Sequence, residues 1–87
     1  MDRVAPITVI GGANIDISAK YSAAFTAAGD SNHGQISTSA GGVARNIAEN
    51  LARMGSAVQL ITGLGDDGFS ASIRASLNLP LLDLSAC

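Results

Sequence analysis

The chain has 87 residues, 47% apolar, 3% aromatic and 14% charged, with a formal net charge of −2. That length holds one small domain or a piece of a larger one, with a core that removes only about 60–65% of the unfolded surface from water. The dispersed Lys and Arg, 5 against 7 Asp and Glu, exclude the basic footprint of a nucleic-acid or anionic-membrane binder, and the apolar share excludes a disordered chain.

The opening Met1-Asp2-Arg3-Val4-Ala5-Pro6 lacks an apolar signal region, and no run along the chain is long enough to span a bilayer. Ile7-Thr8-Val9-Ile10 is a β-branched run ending in Gly11-Gly12, which predicts a buried strand. Ile15 and Ile17 continue the alternation, as in a strand turning out of the core. From Ser18 to Ala40 the chain is rich in Ala, Ser, Thr and Gly, with turn signals at Gly29-Asp30 and Asn32-His33-Gly34. Composition reads this as a long loop, and loops of that length in compact domains usually carry function.

From Val43 to Met54 the pattern turns helical, with Val43, Ile47 and Leu51 at four-residue spacing and Ala44 and Ala48 alongside. Arg45, Glu49 and Arg53 share another face and predict alternating ion pairs worth ~0.2–0.5 kcal/mol each. Gly55 is the expected stop of this helix. Val58-Gln59-Leu60-Ile61 predicts the next strand, Gly63 to Gly68 a tight loop, and Phe69 to Leu77 a second helix with Phe69, Ile73 and Leu77 aligned. Pro80 interrupts the chain after this helix, and Leu81-Leu82-Asp83-Leu84 is a candidate for another strand. The alternation of strand and helix predicts an α/β fold with a parallel sheet. Cys87 is the sole cysteine, so an intrachain disulfide is impossible; with no signal region, a soluble cytoplasmic protein is the expectation.

Ala40-Gly41-Gly42-Val43-Ala44-Arg45-Asn46-Ile47-Ala48 is a glycine pair leading into an amphipathic helix, with an Asn in its first turn. Glycines let backbone approach a ligand closely, and a helix N-terminus offers N–H groups and a partial positive charge. Asn46 adds a side chain that donates and accepts at once, which makes a socket for a polyhydroxylated molecule. Asp16 follows the first strand, where ligands bind in open α/β sheets. Its carboxylate can accept from two vicinal hydroxyls, and such charge-assisted bonds contribute ~1.5–3 kcal/mol.

Taken singly, each residue has a plainer reading. Asp16 can be a turn-forming or solvated residue, Asn46 a first-turn residue bonding locally, and Gly41-Gly42 a loop before a helix. Asn14, Asp16, the glycine pair and Asn46 together favour the ligand. Arg45 reads as a surface salt-bridge partner outside the site. Gly63-x-Gly65-x-x-Gly68 fits the dinucleotide fingerprint in form, but Asp66 and Asp67 would repel a pyrophosphate and serve better as helix caps. His33 has no second His or Cys to form a metal set.

Gly11-Gly12-Ala13-Asn14-Ile15-Asp16 and the Gly41-Gly42…Asn46 motif resemble the PfkB, or ribokinase-like, family of carbohydrate and nucleoside kinases over about Val9 to Gly68. With Asp30-Ser31-Asn32-x-Gly34 ahead of them, they look most like its pseudouridine kinases. The resemblance implies the N-terminal part of a doubly wound parallel sheet, with a small β lid over about residues 17–40 and strand–helix units over 41–87. It implies that Asp16, Gly42 and Asn46 line a sugar pocket, that Asn14 and Gly41 shape or line it, and that Asn32 touches a base.

It also implies ATP and Mg²⁺ for the whole enzyme. The family's catalytic Gly-Ala-Gly-Asp segment has no match in these residues, so none of them is assigned a catalytic or cofactor-binding role. The expectation is an N-terminal piece of a kinase, inactive alone, that self-associates or needs a complementing C-terminal segment. Two other readings stay open: a non-catalytic sugar- or nucleoside-binding module, and a dinucleotide-binding fragment using the Gly63 to Gly68 loop.

Overall fold

The computed structural model describes residues 5–21 and 34–87. In chain order these form β1 (Ile7–Ile10), β2 (Asn14–Tyr21), β3 (Gly34–Gly41), α1 (Val43–Arg53), β4 (Val58–Ile61), α2 (Gly68–Ser76) and β5 (Leu82–Asp83). Asp30, Ser31, Asn32 and His33 lie outside the described residues.

Strands β1, β4 and β5 make a parallel sheet in the order β1-β4-β5. Ile7 pairs with Val58 and Ile10 with Ile61, while Val58 and Gln59 pair with Leu82 and Asp83. Helix α1 lies on all three strands. The core is built on central β4, whose Val58 and Leu60 are buried with Ile73 and Leu77 at α2 and with Ala44, Ala48 and Ala52 of α1.

Two expectations about burial are corrected. Strand β1 is not buried: Ile7 and Ile10 are 45% and 74% exposed, and only Val9 packs against the core. Its place at the sheet edge is the reason, because burial on both faces falls to the central strand. In α1 the stripe facing the sheet is Ala44, Ala48 and Ala52, with Leu51 packed at its side, while Val43 and Ile47 do not join it. Val43 stands 77% and Ile47 46% exposed. Small alanine side chains let the helix settle close to the sheet, and Val43 and Ile47, one position away, face outward.

The helix ends follow the sequence closely. Gly55, at φ +95°, follows the cap residue Met54 and takes the left-handed conformation that ends α1. Asp67 caps α2, its Oδ1 accepting from the Ser70 N–H at 2.9 Å. Phe69 departs from the expected apolar face and is 51% exposed.

The segment that composition reads as a loop contains an antiparallel ladder, from Asn14 opposite Gly41 to Tyr21 opposite Gly34. Ile15 and Ile17 show the alternation at the start of β2, while in β3 it is carried mostly by Ser, Thr and Ala, which hides it from hydropathy. Ile15, Ile17 and Ala19 share one face with Ala40, Thr38 and Ile36; Asn14, Asp16, Ser18 and Lys20 share the other with Gly41, Ser39, Ser37 and Gln35. Helix α2 packs against both strands. The radius of gyration is 17.4 Å, against about 12 Å for a compact chain of this length, so the ladder extends away from the core. Among the described residues, no helix is long and apolar enough to cross a membrane.

Candidate functional site

The site forms where two connections meet at the ends of β1 and β3. Gly11 leaves β1 with its N–H donating to Ile61 O at 3.2 Å, and residues 12–13 then lead into β2. On the other side Gly41 closes β3 and Gly42, at φ +100°, opens α1 as its N-cap residue. One bond pins these connections together, Arg45 N–H donating to Gly12 O at 3.2 Å, while Asn46 N–H donates to Gly42 O at 2.9 Å as the first turn of α1.

The contact is close enough to require glycine at position 42, where the clash is with backbone, while a side chain at position 41 would displace the Asp16 carboxylate. A Cβ on Gly42 would stand 2.5 Å from Gly12 O, 2.8 Å from Ala13 Cα and 2.9 Å from Asn14 Oδ1. A Cβ on Gly41 would overlap Asp16 Oδ2 and reach 3.5 Å from Asn14 Nδ2. Four of the five residues singled out in the sequence, Asn14, Asp16, Gly41 and Gly42, therefore form one contiguous patch. Asn14 and Asp16 are exposed, Gly41 is buried beneath them, and Gly42 is half-buried.

Within the patch Asn14 Nδ2 donates to Asp16 Oδ1 at 2.8 Å. A carboxylate has about four acceptor positions, so Asp16 retains several for a ligand. Among the described residues no Lys or Arg pairs with it. Ser39 is its cross-strand partner and adds a hydroxyl on the same face. The patch thus offers an anionic double acceptor, an amide and a hydroxyl at the base of the ladder's polar face.

Asn46 joins the patch through its backbone bond to Gly42, and its exposed side chain is engaged by Arg45. Its Oδ1 accepts from Arg45 Nη1 at 2.7 Å. The expectation of a surface Arg45 is corrected: the residue is only 6% exposed. Its Nη1 also pairs with Glu49 Oε1 at 2.9 Å, and its Nε donates to Ser76 Oγ on α2 at 3.3 Å. The alternating pairs expected on α1 are present, since Arg53 Nη2 meets Glu49 Oε2 at 3.0 Å. The hydrogen bond from Arg53, then the charge and hydrogen bond of Arg45, hold the Glu49 carboxyl below the usual carboxylate range against its partial burial. A signal for Arg45 was present in the sequence: it directly follows Ala44 in the Ala44, Ala48, Ala52 stripe and has Glu49 four residues on.

An apolar groove lined by Ala5, Ile7, Gly55, Ser56, Ala57 and Leu81 lies at the opposite ends of β1 and β4 from this patch and presents no charged group. In the Gly63 to Gly68 loop, the Asp67 carboxylate occupies the N-terminus of α2 that a phosphate would need.

Residues 5–85 match the family model described as pfkB family carbohydrate kinase. The chain is 42% identical over 72 residues to a pseudouridine kinase of Escherichia coli K12, covering 83% of this chain and 23% of that protein. It is 35% identical over 79 residues to an uncharacterized sugar kinase of the same organism, covering 91% of this chain and 22% of that one. A solved carbohydrate kinase from Agrobacterium tumefaciens superposes with a TM-score of 0.82 at 32% identity, covering 92% of this chain and 26% of that chain. The chain therefore spans about a quarter of the length of the relatives it matches.

Proposed function

The chain belongs to the pfkB family of carbohydrate kinases, and on that premise we propose that it is the substrate-binding N-terminal part of an ATP-dependent kinase acting on a ribosyl substrate, with pseudouridine first among them. The whole enzyme would transfer the γ-phosphate of ATP to the ribosyl hydroxymethyl oxygen, giving the 5′-phosphate and ADP. The 42% identity to a pseudouridine kinase favours the nucleoside over the free sugar.

The observation that carries this reading is the Asp16 carboxylate, exposed against Gly41 and tied to the neutral amide of Asn14. Its free acceptor positions suit two vicinal hydroxyls of a ribose. Asn46 and the glycine pair would fix the sugar's orientation, and the β2–β3 ladder would close over it and exclude water, so that transfer outcompetes hydrolysis.

ATP and Mg²⁺ belong to this proposal by family resemblance. Among the described residues no three Asp, Glu, His or Cys side chains stand together to hold a cation. This chain's share of the work is to bind and orient the sugar; alone it would bind without transferring phosphate. A cytoplasmic setting belongs to the same reading.

Calorimetric titration of the gene product with pseudouridine, uridine and ribose tests the binding, and phosphate transfer with a complementing C-terminal kinase segment tests the enzyme. Pseudouridine is expected to bind most tightly and to yield the 5′-phosphate only when the segment is present. Binding with no turnover in the complemented protein would leave a sugar-binding module in place of a kinase part.

A further inference from the structure

Arg45 is buried although a guanidinium belongs in water, and its burial is tolerated because its donors are matched by Asn46, Glu49 and Ser76. We propose that Arg45 is a positioning residue: by holding Asn46 Oδ1 it turns the Asn46 Nδ2 amide outward as a fixed donor for the sugar. This rests on the functional reading above and adds the residue through which Asn46 is made specific.

The direction follows from the chemistry of the two groups. A guanidinium carries donors only, so Asn46 has to present its oxygen to it. That settles an amide orientation which is otherwise interchangeable. The two N–H donors of Nδ2 then point away from Arg45, on an exposed side chain one helical turn from Gly42. The guanidinium is itself held from two elements. Glu49 lies one turn along α1, and Ser76 closes α2 with its own proton donated to Ile73 O at 2.6 Å, which leaves its lone pairs to Arg45. A donor already fixed in place loses less conformational entropy when the ligand arrives. Because α2 packs on β2 and β3, the same tether links the ladder bearing Asp16 to the helix bearing Asn46.

A merely structural Arg45 would join α1 to α2 and leave the Asn46 amide indifferent to it. The test uses the full gene product labelled with ¹⁵N at asparagine, in five forms: wild type, Arg45→Met, Arg45→Lys, Asn46→Ala and the Arg45→Met/Asn46→Ala double variant. Met fills the space with no donor, while Lys keeps the charge but cannot span three acceptors. The Asn46 side-chain signals, identified by their loss in Asn46→Ala, are expected to move toward free-asparagine positions in both Arg45 variants without ligand. With pseudouridine, Arg45→Met is expected to weaken binding roughly 10- to 100-fold and to add nothing to the loss in Asn46→Ala.

Asn46 signals unmoved in both Arg45 variants, or losses that add in the double variant, overturn the proposal. Should Arg45→Met lose its far-ultraviolet dichroism, Arg45→Lys decides in its place. A wild-type protein that binds neither pseudouridine nor ribose sinks the functional reading, while the ligand-free Asn46 signals still decide the tether.

Discussion

Asn14 and Asp16 stand two residues apart on β2 with their side chains on one face, and Asn14 Nδ2 donates to Asp16 Oδ1 at 2.8 Å. The partner matters as much as the bond. A Lys or Arg in that place would orient the carboxylate and also neutralise it. The amide orients Asp16 while leaving its full charge for a ligand, and the opposite end of Asn14 lies against Gly42.

Replacing Asp16 with Asn keeps the shape and removes the charge. Sugar affinity is expected to fall roughly 10- to 100-fold, the worth of a charge-assisted pair of hydrogen bonds, with the thermal midpoint almost unmoved because the residue is exposed. Titration calorimetry beside thermal denaturation separates the two effects. Unchanged affinity would return Asp16 to the role of a solvated strand residue.

Gly42→Ala acts on the fold at the same corner. At φ +100° a side chain is strained, and the new Cβ would stand 2.5 Å from Gly12 O, backbone that cannot swing away. A loss of at least about 1–3 kcal/mol in stability is expected. Gly65→Ala is the control: its Cβ would meet nothing nearer than 3.7 Å, and its effect should stay within about 0.5 kcal/mol. Equal midpoints for the two variants in denaturant would remove the case for a glycine requirement at position 42.

The α/β ribokinase-like architecture is legible in the sequence because its signals are local. Val58 to Ile61, the Asp67 cap and the Gly55 stop each declare themselves within a few residues. The patch of Asn14, Asp16, Gly41 and Gly42 is legible as a motif, but its closeness depends on β2 pairing with β3, a partnership that spacing cannot report. Three features stay hidden for physical reasons. The start of β2 alternates openly through Ile15 and Ile17, but β3 alternates mostly in Ser, Thr and Ala, whose hydropathies differ too little to show a period of two. The inward face of α1 centres on its small alanines, while the larger Val43 and Ile47 stay exposed, which a count of bulky apolar residues does not show. The place of Arg45 beside the alanine stripe is legible, but its acceptor Ser76, 31 residues away, is not.

The ion-pair chain on α1 predicts a pH dependence with a definite sign. The hydrogen bond from Arg53 and the charge of Arg45 lower the Glu49 pKa in the folded chain from 4.5. A lowered folded value contributes stability above the unfolded pKa, and that contribution is lost as pH falls through the folded pKa. Glu49→Gln should therefore be less stable than the wild type near neutrality, with the gap closing once the pH drops below 4.5. Because Arg53 is 58% exposed, added salt should narrow the neutral-pH gap. Urea denaturation of both proteins across this range measures it; a gap independent of pH would mean that the loss is one of packing.

The apolar face of the ladder predicts how the 87-residue chain behaves in isolation. Ile17 and Ile36 are diagonal neighbours on that face, 60% and 76% exposed, and Ile10 on the open sheet edge is 74% exposed. With this much apolar surface in water and, among the described residues, an unpaired edge on β1, the chain is expected to self-associate, or to bind a complementing kinase segment. Sedimentation velocity over a concentration series should show assembly, and the Ile17→Thr/Ile36→Thr double variant should shift it toward monomer. Val43→Thr with Met54→Gln, on the outer face of α1, tests the rival surface, where exposure is equally high at 77% and 74%. Assembly that survives the ladder pair and yields to the helix pair would place the contact on α1. A wild-type chain monomeric at every concentration would mean that small, scattered side chains keep this surface below the threshold for association.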